Sequence, residues 1–114
     1  KRQALVWGQP LTGRNYGDPP NPNKKPLPVA WYKTWETSVG KHARVFQSTM
    51  GSARDLQSAG LRRLVTNAVY WGLGLEESIS PDRSVDYVGS YEPLASGFNY
   101  EKLGVIPQPP AAYR

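Results

Sequence analysis

Apolar residues along this chain gather in three short clusters and one periodic stretch. Ala4-Leu5-Val6-Trp7 is a continuous apolar run set between Lys1-Arg2 and Gly8-Gln9-Pro10. Four apolar residues with no polar alternate predict a strand buried on both faces. Val29 to Glu36 reads Val-Ala-Trp-Tyr-Lys-Thr-Trp-Glu. Its aromatic and β-branched residues predict a second strand, with Val29, Trp31, Lys33 and Trp35 on one face by the two-residue period. Thr37 to His42 holds Gly40-Lys41 and predicts a turn, and Arg44 to Thr49 resumes strand character, so these segments make a hairpin. After Met50-Gly51-Ser52 the period changes. Leu61, Leu64, Val65, Ala68, Trp71 and Leu75 recur at helical spacing, with Ser58 or Asp55 upstream as caps and Gly74 as a stop. A helix over about 58–73 follows.

The intervals are as informative as the clusters. From Pro10 to Pro28, inclusive, there are six prolines with Gly13, Gly17, Asn15, Asn21 and Asn23, a composition in which neither a helix nor an interior strand persists. A loop of that length without its own structure is uncommon in a compact domain and tends to be functional or disordered. Val85 to Gly89 predicts a short edge strand, and 91–114 reads as a proline-rich extended tail. No internal repeat or low-complexity tract is visible.

Length and composition narrow the chemistry. The 114 residues support one core and no second;. The absence of cysteine excludes disulfide scaffolds, thiolate zinc sites, iron–sulfur clusters and cysteine nucleophiles within these residues;. A single histidine, His42, excludes a polyhistidine metal site, and no Asp-x-Asp-x-Asp-Gly loop supports calcium;. The sequence thus calls for no metal and no cofactor. The net charge of +5 is scattered, with no run of like charges longer than two, which argues against a nucleic-acid surface;. No stretch approaches the roughly 20 apolar residues of a membrane span.

The loop Met50-Gly51-Ser52-Ala53 sits between a strand and a helix, where ligands of open α/β sheets bind. The simpler role for its residues is local: Gly51 makes the turn, and Ser52 or Asp55 satisfies free backbone donors. Ser52 has no Gly-x-Ser-x-Gly elbow, and His42 falls in the hairpin turn, where a solvated imidazole is the default. Arg62-Arg63 reads as a solvated pair reaching acidic neighbours. Trp7 and Trp71 lie in apolar runs and read as core, whereas Trp31 and Trp35 suit either a core or a stacking platform.

Four motifs in order, Pro28-Val29-Ala30-Trp31, Gly40-Lys41-His42-Ala43-Arg44-Val45-Phe46, Thr49-Met50-Gly51 and the stretch from Leu61 to Gly74, resemble the carboxyl-terminal part of the ThuA-like (trehalose-utilisation) family. The resemblance covers about residues 3 to 90. It implies a flavodoxin-like three-layer α/β sandwich of the class I glutamine amidotransferase-like kind, of which 1–90 would be the carboxyl-terminal half and 91–114 the tail. It implies further that the missing amino-terminal half, or another subunit, is the principal partner. Where amidotransferase relatives carry a catalytic histidine, this chain reads Gly51-Ser52, so glutamine hydrolysis is disfavoured. The context the resemblance implies is bacterial carbohydrate metabolism, in exported or periplasmic proteins, with a disaccharide or keto-sugar as ligand. The expected crevice lies near Met50-Gly51-Ser52 and the loop from Gly8 to Pro28. Gln9, Asn15, Ser52 and Arg54 are its candidate polar contacts and Trp31 its candidate wall. The rival expectation is a non-catalytic structural or interaction module with a degenerate amidotransferase-like site.

Overall fold

The computed structural model describes residues 1–94, 97, 99, 101–104, 106 and 108–113. Its frame is a three-stranded sheet of β1 (Gln3–Gly8), β2 (Leu27–Glu36) and β3 (His42–Ser48), with helix α1 (Ala59–Leu73) across one face. Both strand pairs are antiparallel and the order is β1-β2-β3. The described residues therefore form two layers, sheet and helix.

The hairpin is regular. β2 and β3 run in unbroken register from Ala30 opposite Ser48 to Glu36 opposite His42. Gly40 takes φ +73° at the turn, a left-handed conformation that only glycine adopts without steric cost;. The Thr37 N–H donates to the Lys41 carbonyl, and Thr37 Oγ1 accepts from the Lys41 N–H at 3.0 Å. His42 is thus the first residue of β3, beyond the turn the sequence assigned to it.

β1 departs from the expectation of a strand buried on both faces. It is an edge strand, and Leu5 is 47% and Trp7 62% exposed. Its register slips twice: Leu5 is extra between Ala4, opposite Trp31, and Val6, opposite Ala30, while Val29 is extra on β2 before Trp7 meets Pro28. Such bulges break the two-residue alternation. Leu5 and Val6 consequently line hollows on the helix side, while Ala4 and Trp7 join Trp31 on the other. The continuous apolar run reflects this bulged path, with one of its two faces left open.

Helix α1 begins and ends where local chemistry directs. The Ser58 side chain accepts from the Leu61 N–H, and Gly74 closes the helix at φ +77° with its N–H on the Trp71 carbonyl;. Trp71 meets Tyr32 edge to face, ring centroids 5.1 Å apart;. The Arg44 guanidinium, from β3, lies over Trp71, donates to its carbonyl at 2.5 Å and pairs with Glu76. The Glu76 carboxyl is held below its ordinary range by a hydrogen bond from its own backbone and then by Arg44.

Beyond α1 the chain doubles back. Val85 to Gly89 forms no strand. Instead of a ladder partner, its backbone meets a side chain: the Arg62 Nε donates to the Val85 carbonyl at 2.6 Å. The two hydrogens of Nη1 are shared among the carbonyls of Leu56 and Gln57 and the Tyr87 hydroxyl, at 2.8 to 2.9 Å, and the guanidinium lies 4.2 Å from the Tyr87 ring centroid. Arg63 donates to the Arg83 carbonyl. The arginine pair therefore satisfies backbone oxygens, which offer a fork of donors more acceptors at this point than the acidic neighbours expected of it.

Little of this is sealed. Among the described residues only Ala30 and Leu61 are buried apolar side chains. The accessible surface is 9446 Å², whereas a compact monomer of this size exposes about 6,200 Å². Along α1, Val65, Val69 and Leu73 face outward, so Val65 belongs to the outer stripe and not to the sheet-facing one.

Candidate functional site

The end of β1, the start of β2 and the end of β3 lie together, because Gly8 pairs with Leu27 and Ala30 with Ser48. Both irregular segments, 9–26 and 49–58, leave from that end. The first is built on proline carbonyls, which accept although proline cannot donate. Pro10 accepts from the Asn21 N–H at 2.8 Å and Pro19 from the Thr12 N–H at 2.9 Å, around a bridge between Leu11 and Pro20. The Gln9 amide nitrogen donates to the carbonyls of Pro10 and Lys24, so its nitrogen serves the loop, while its oxygen accepts from no described residue. The Asn15 N–H donates to Asp18 Oδ2 at 2.7 Å. The Asn15 side chain makes no hydrogen bond to a described residue.

The second segment folds around Asp55. Its Oδ2 accepts from the Gly51 and Ser52 N–H groups, both at 3.0 Å, and Ser52 Oγ accepts from the Asp55 N–H at 3.2 Å. Those hydrogen bonds, from Gly51 first, then Ser52, hold the Asp55 carboxyl below its ordinary value. Gly51 takes φ +142°, which favours glycine there;. Ser52 is therefore part of a closed turn, as its local role predicted, with its hydroxyl engaged by Asp55. Arg54 is exposed and its guanidinium makes no hydrogen bond to a described residue. His42 stands at the opposite end of β3, about 20 Å away at roughly 3.3 Å per residue, so the geometry forms no serine–histidine pair.

Beside this sheet end a hollow of about 440 Å³ lies between Val6, Met50 and the first turns of α1, where Ser58, Leu61, Arg63, Leu64 and Asn67 line it. A second, of about 280 Å³, continues from it under the helix, walled by Leu5, Tyr32, Phe46, Ala68 and Trp71. Leu64 and Asn67 border both. Asn67 went unread in the sequence, although its place between Leu64 and Trp71 puts an amide on the inward helix stripe. Of the candidate residues, Gln9, Asn15, Ser52 and Arg54 ride on the two loops at this end without touching one another through hydrogen bonds. Trp31 stands apart on the other sheet face, in a hollow with Arg2, Ala4, Trp7 and Pro28.

The arrangement offers apolar walls with a few amide, hydroxyl and guanidinium groups at the rim, a composition suited to binding a small polar molecule. Among the described residues no cluster of three or more His, Asp or Glu side chains is placed to hold a metal ion, and no helix is long and apolar enough to cross a membrane. Compared with protein-family models, curated proteins and solved structures, the chain shows no match.

Proposed function

We propose that the chain is part of a ThuA-like α/β domain of flavodoxin-like architecture and that it binds a carbohydrate, a disaccharide or keto-sugar, at the loop-bearing end of its sheet. One observation carries the reading: the hollow bounded by Met50 and Val6 lies at the sheet end from which the loops holding Gln9, Asn15, Ser52 and Arg54 leave, although its lining comes from α1 with its cap Ser58, from Val6 and from Met50, and from none of those four. A sugar needs apolar contact for its ring carbons and paired donors and acceptors for its hydroxyls. Leu61 and Leu64 supply the first, and Asn67, Ser58 and Arg63 supply the second from the helix side.

The reading is one of binding, with no amide hydrolysis. Ser52 is engaged with Asp55, and the one histidine is remote from it. The same remoteness favours the second reading, a non-catalytic module with a degenerate amidotransferase-like site. Titration of trehalose and of keto-sugars against the whole chain separates the two. Saturable binding, weakened by Asn67→Leu and by Ser52→Ala or Gln9→Ala, supports the sugar site. An absence of binding by the unmodified chain, or affinity indifferent to all three substitutions, rejects it in favour of the module.

A further inference from the structure

Among the described residues no helix or strand packs on the sheet face opposite α1. Cross-strand pairing sets Trp31 beside Gln47, Lys33 beside Val45 and Trp35 beside Ala43, and the bulged path of β1 adds Ala4 and Trp7. Trp7 is 62% and Trp35 56% exposed, although the water-facing side of an antiparallel sheet ordinarily carries polar residues. The three indoles follow β2 from the level of Pro28 to Trp35, about 23 Å at roughly 3.3 Å per residue. A helix of about 15 residues has that length.

Charge selects the kind of partner. Arg2 lies 5.5 Å from the Trp31 ring centroid and Lys33 4.8 Å from that of Trp35. Both are cations, and Ala4, Ala43, Val45 and Gln47 around them contribute no carboxylate. A second copy laid on the same face would bring Arg2 and Lys33 against their own kind, a like-charge contact that an interface avoids. A partner with acidic groups beside an apolar stripe meets the indoles and neutralises both cations.

We propose that the tryptophan face docks an amphipathic helix of a partner polypeptide, its apolar stripe on Trp7, Trp31 and Trp35 and its carboxylates on Arg2 and Lys33. This surface and the sugar site lie on opposite faces of the sheet, so the peptide test and the sugar titration read different residues.

The test uses the whole chain and two synthetic helical peptides of about 15 residues, each with Leu and Ala every third or fourth position. One carries Glu at the flanking positions and the other Lys. Tryptophan emission reports docking, because Trp7 and Trp35 leave water. The Glu peptide is expected to shift emission to the blue and to bind about ten-fold or more tightly than the Lys peptide. The double variant Arg2→Glu, Lys33→Glu is expected to reverse that preference, with circular dichroism confirming that its helix and sheet are kept. Three results overturn the proposal: no binding of either peptide, equal binding of both, or a preference unchanged in the double variant. A dimer abolished by Trp35→Glu would assign the face to a second copy, and an equal shift by oligogalacturonate would assign it to an acidic glycan; either outcome also overturns it.

Discussion

Removing the Arg62 guanidinium is expected to release the returning segment, residues 85–91, from the helix. Arg62 donates to three backbone carbonyls, Leu56, Gln57 and Val85, and to the Tyr87 hydroxyl, and it lies over the Tyr87 ring. Tyr87 in turn donates to the Leu56 carbonyl at 2.9 Å and stacks on Tyr91, whose hydroxyl reaches the Ala53 carbonyl. One side chain therefore links α1, the turn before it and residues 85–91. Hydrogen bonds from a charged donor contribute about 1.5 to 3 kcal/mol each when shielded. These are half-exposed, and water replaces part of each bond, so about 0.5 to 1 kcal/mol apiece is the fitting scale. With about 0.5 kcal/mol from the ring contact, Arg62→Ala should cost about 3 kcal/mol. Arg62→Lys, which keeps the charge but not the fork, should cost about half of that. Urea denaturation measures the loss, and amide hydrogen exchange locates it, with protection falling first at 85–91 and 54–58. A loss below about 1 kcal/mol, with exchange at 85–91 unchanged, would refute this account of how the segment is held.

Two further outcomes follow from the same structure. The Asp55 carboxyl, lowered by the Gly51 and Ser52 hydrogen bonds, contributes stability that is complete above its ordinary unfolded value. That contribution is lost as pH falls through its depressed folded value, so an acid titration of the melting temperature below about pH 4 should flatten in Asp55→Asn. An Asp55→Asn titration superimposable on that of the unmodified chain would remove the turn as its source. Ala30 is 0% exposed at the centre of β2, between Val6 and Ser48. Ala30→Leu should therefore destabilise by about 1 to 3 kcal/mol through overpacking, measured by denaturant titration. A neutral result would mean that the site has slack.

The readable features of the fold were those fixed within a few residues. Ser58 and Gly74 bound α1 through hydrogen bonds that close inside the segment itself, and Gly40 turns the β2–β3 hairpin by its own backbone freedom. The loop read as Pro10 to Pro28 was legible for the same reason, since proline acts through its own ring, except at its end, where Leu27 and Pro28 pair with Gly8 and Trp7 as the start of β2. The candidate residues Gln9, Asn15, Ser52 and Arg54 fall at one sheet end because strand direction follows from the order of hairpin and connection. The hollow lined by Val6, Met50 and α1 was not legible, because it needs the distance between α1 and β1.

What tertiary structure alone decided involves partners far apart in sequence. The double slip in β1 depends on how Ala4 to Trp7 meets Pro28 to Trp31, and it sends Trp7 outward although the run reads as core. Val85 to Gly89 has strand-like residues, yet Arg62 takes its carbonyl, and no periodicity within the segment records that competitor. Trp31 is placed away from the loop residues for the same reason: alternation sets its face relative to its neighbours, and only the docking of α1 decides which face is covered. Sequence thus determined where the elements begin, end and turn, because those choices are made by backbone torsions and near hydrogen bonds. Which surfaces meet and which stay open was settled by long-range packing, whose energy belongs to pairs of elements and not to either one.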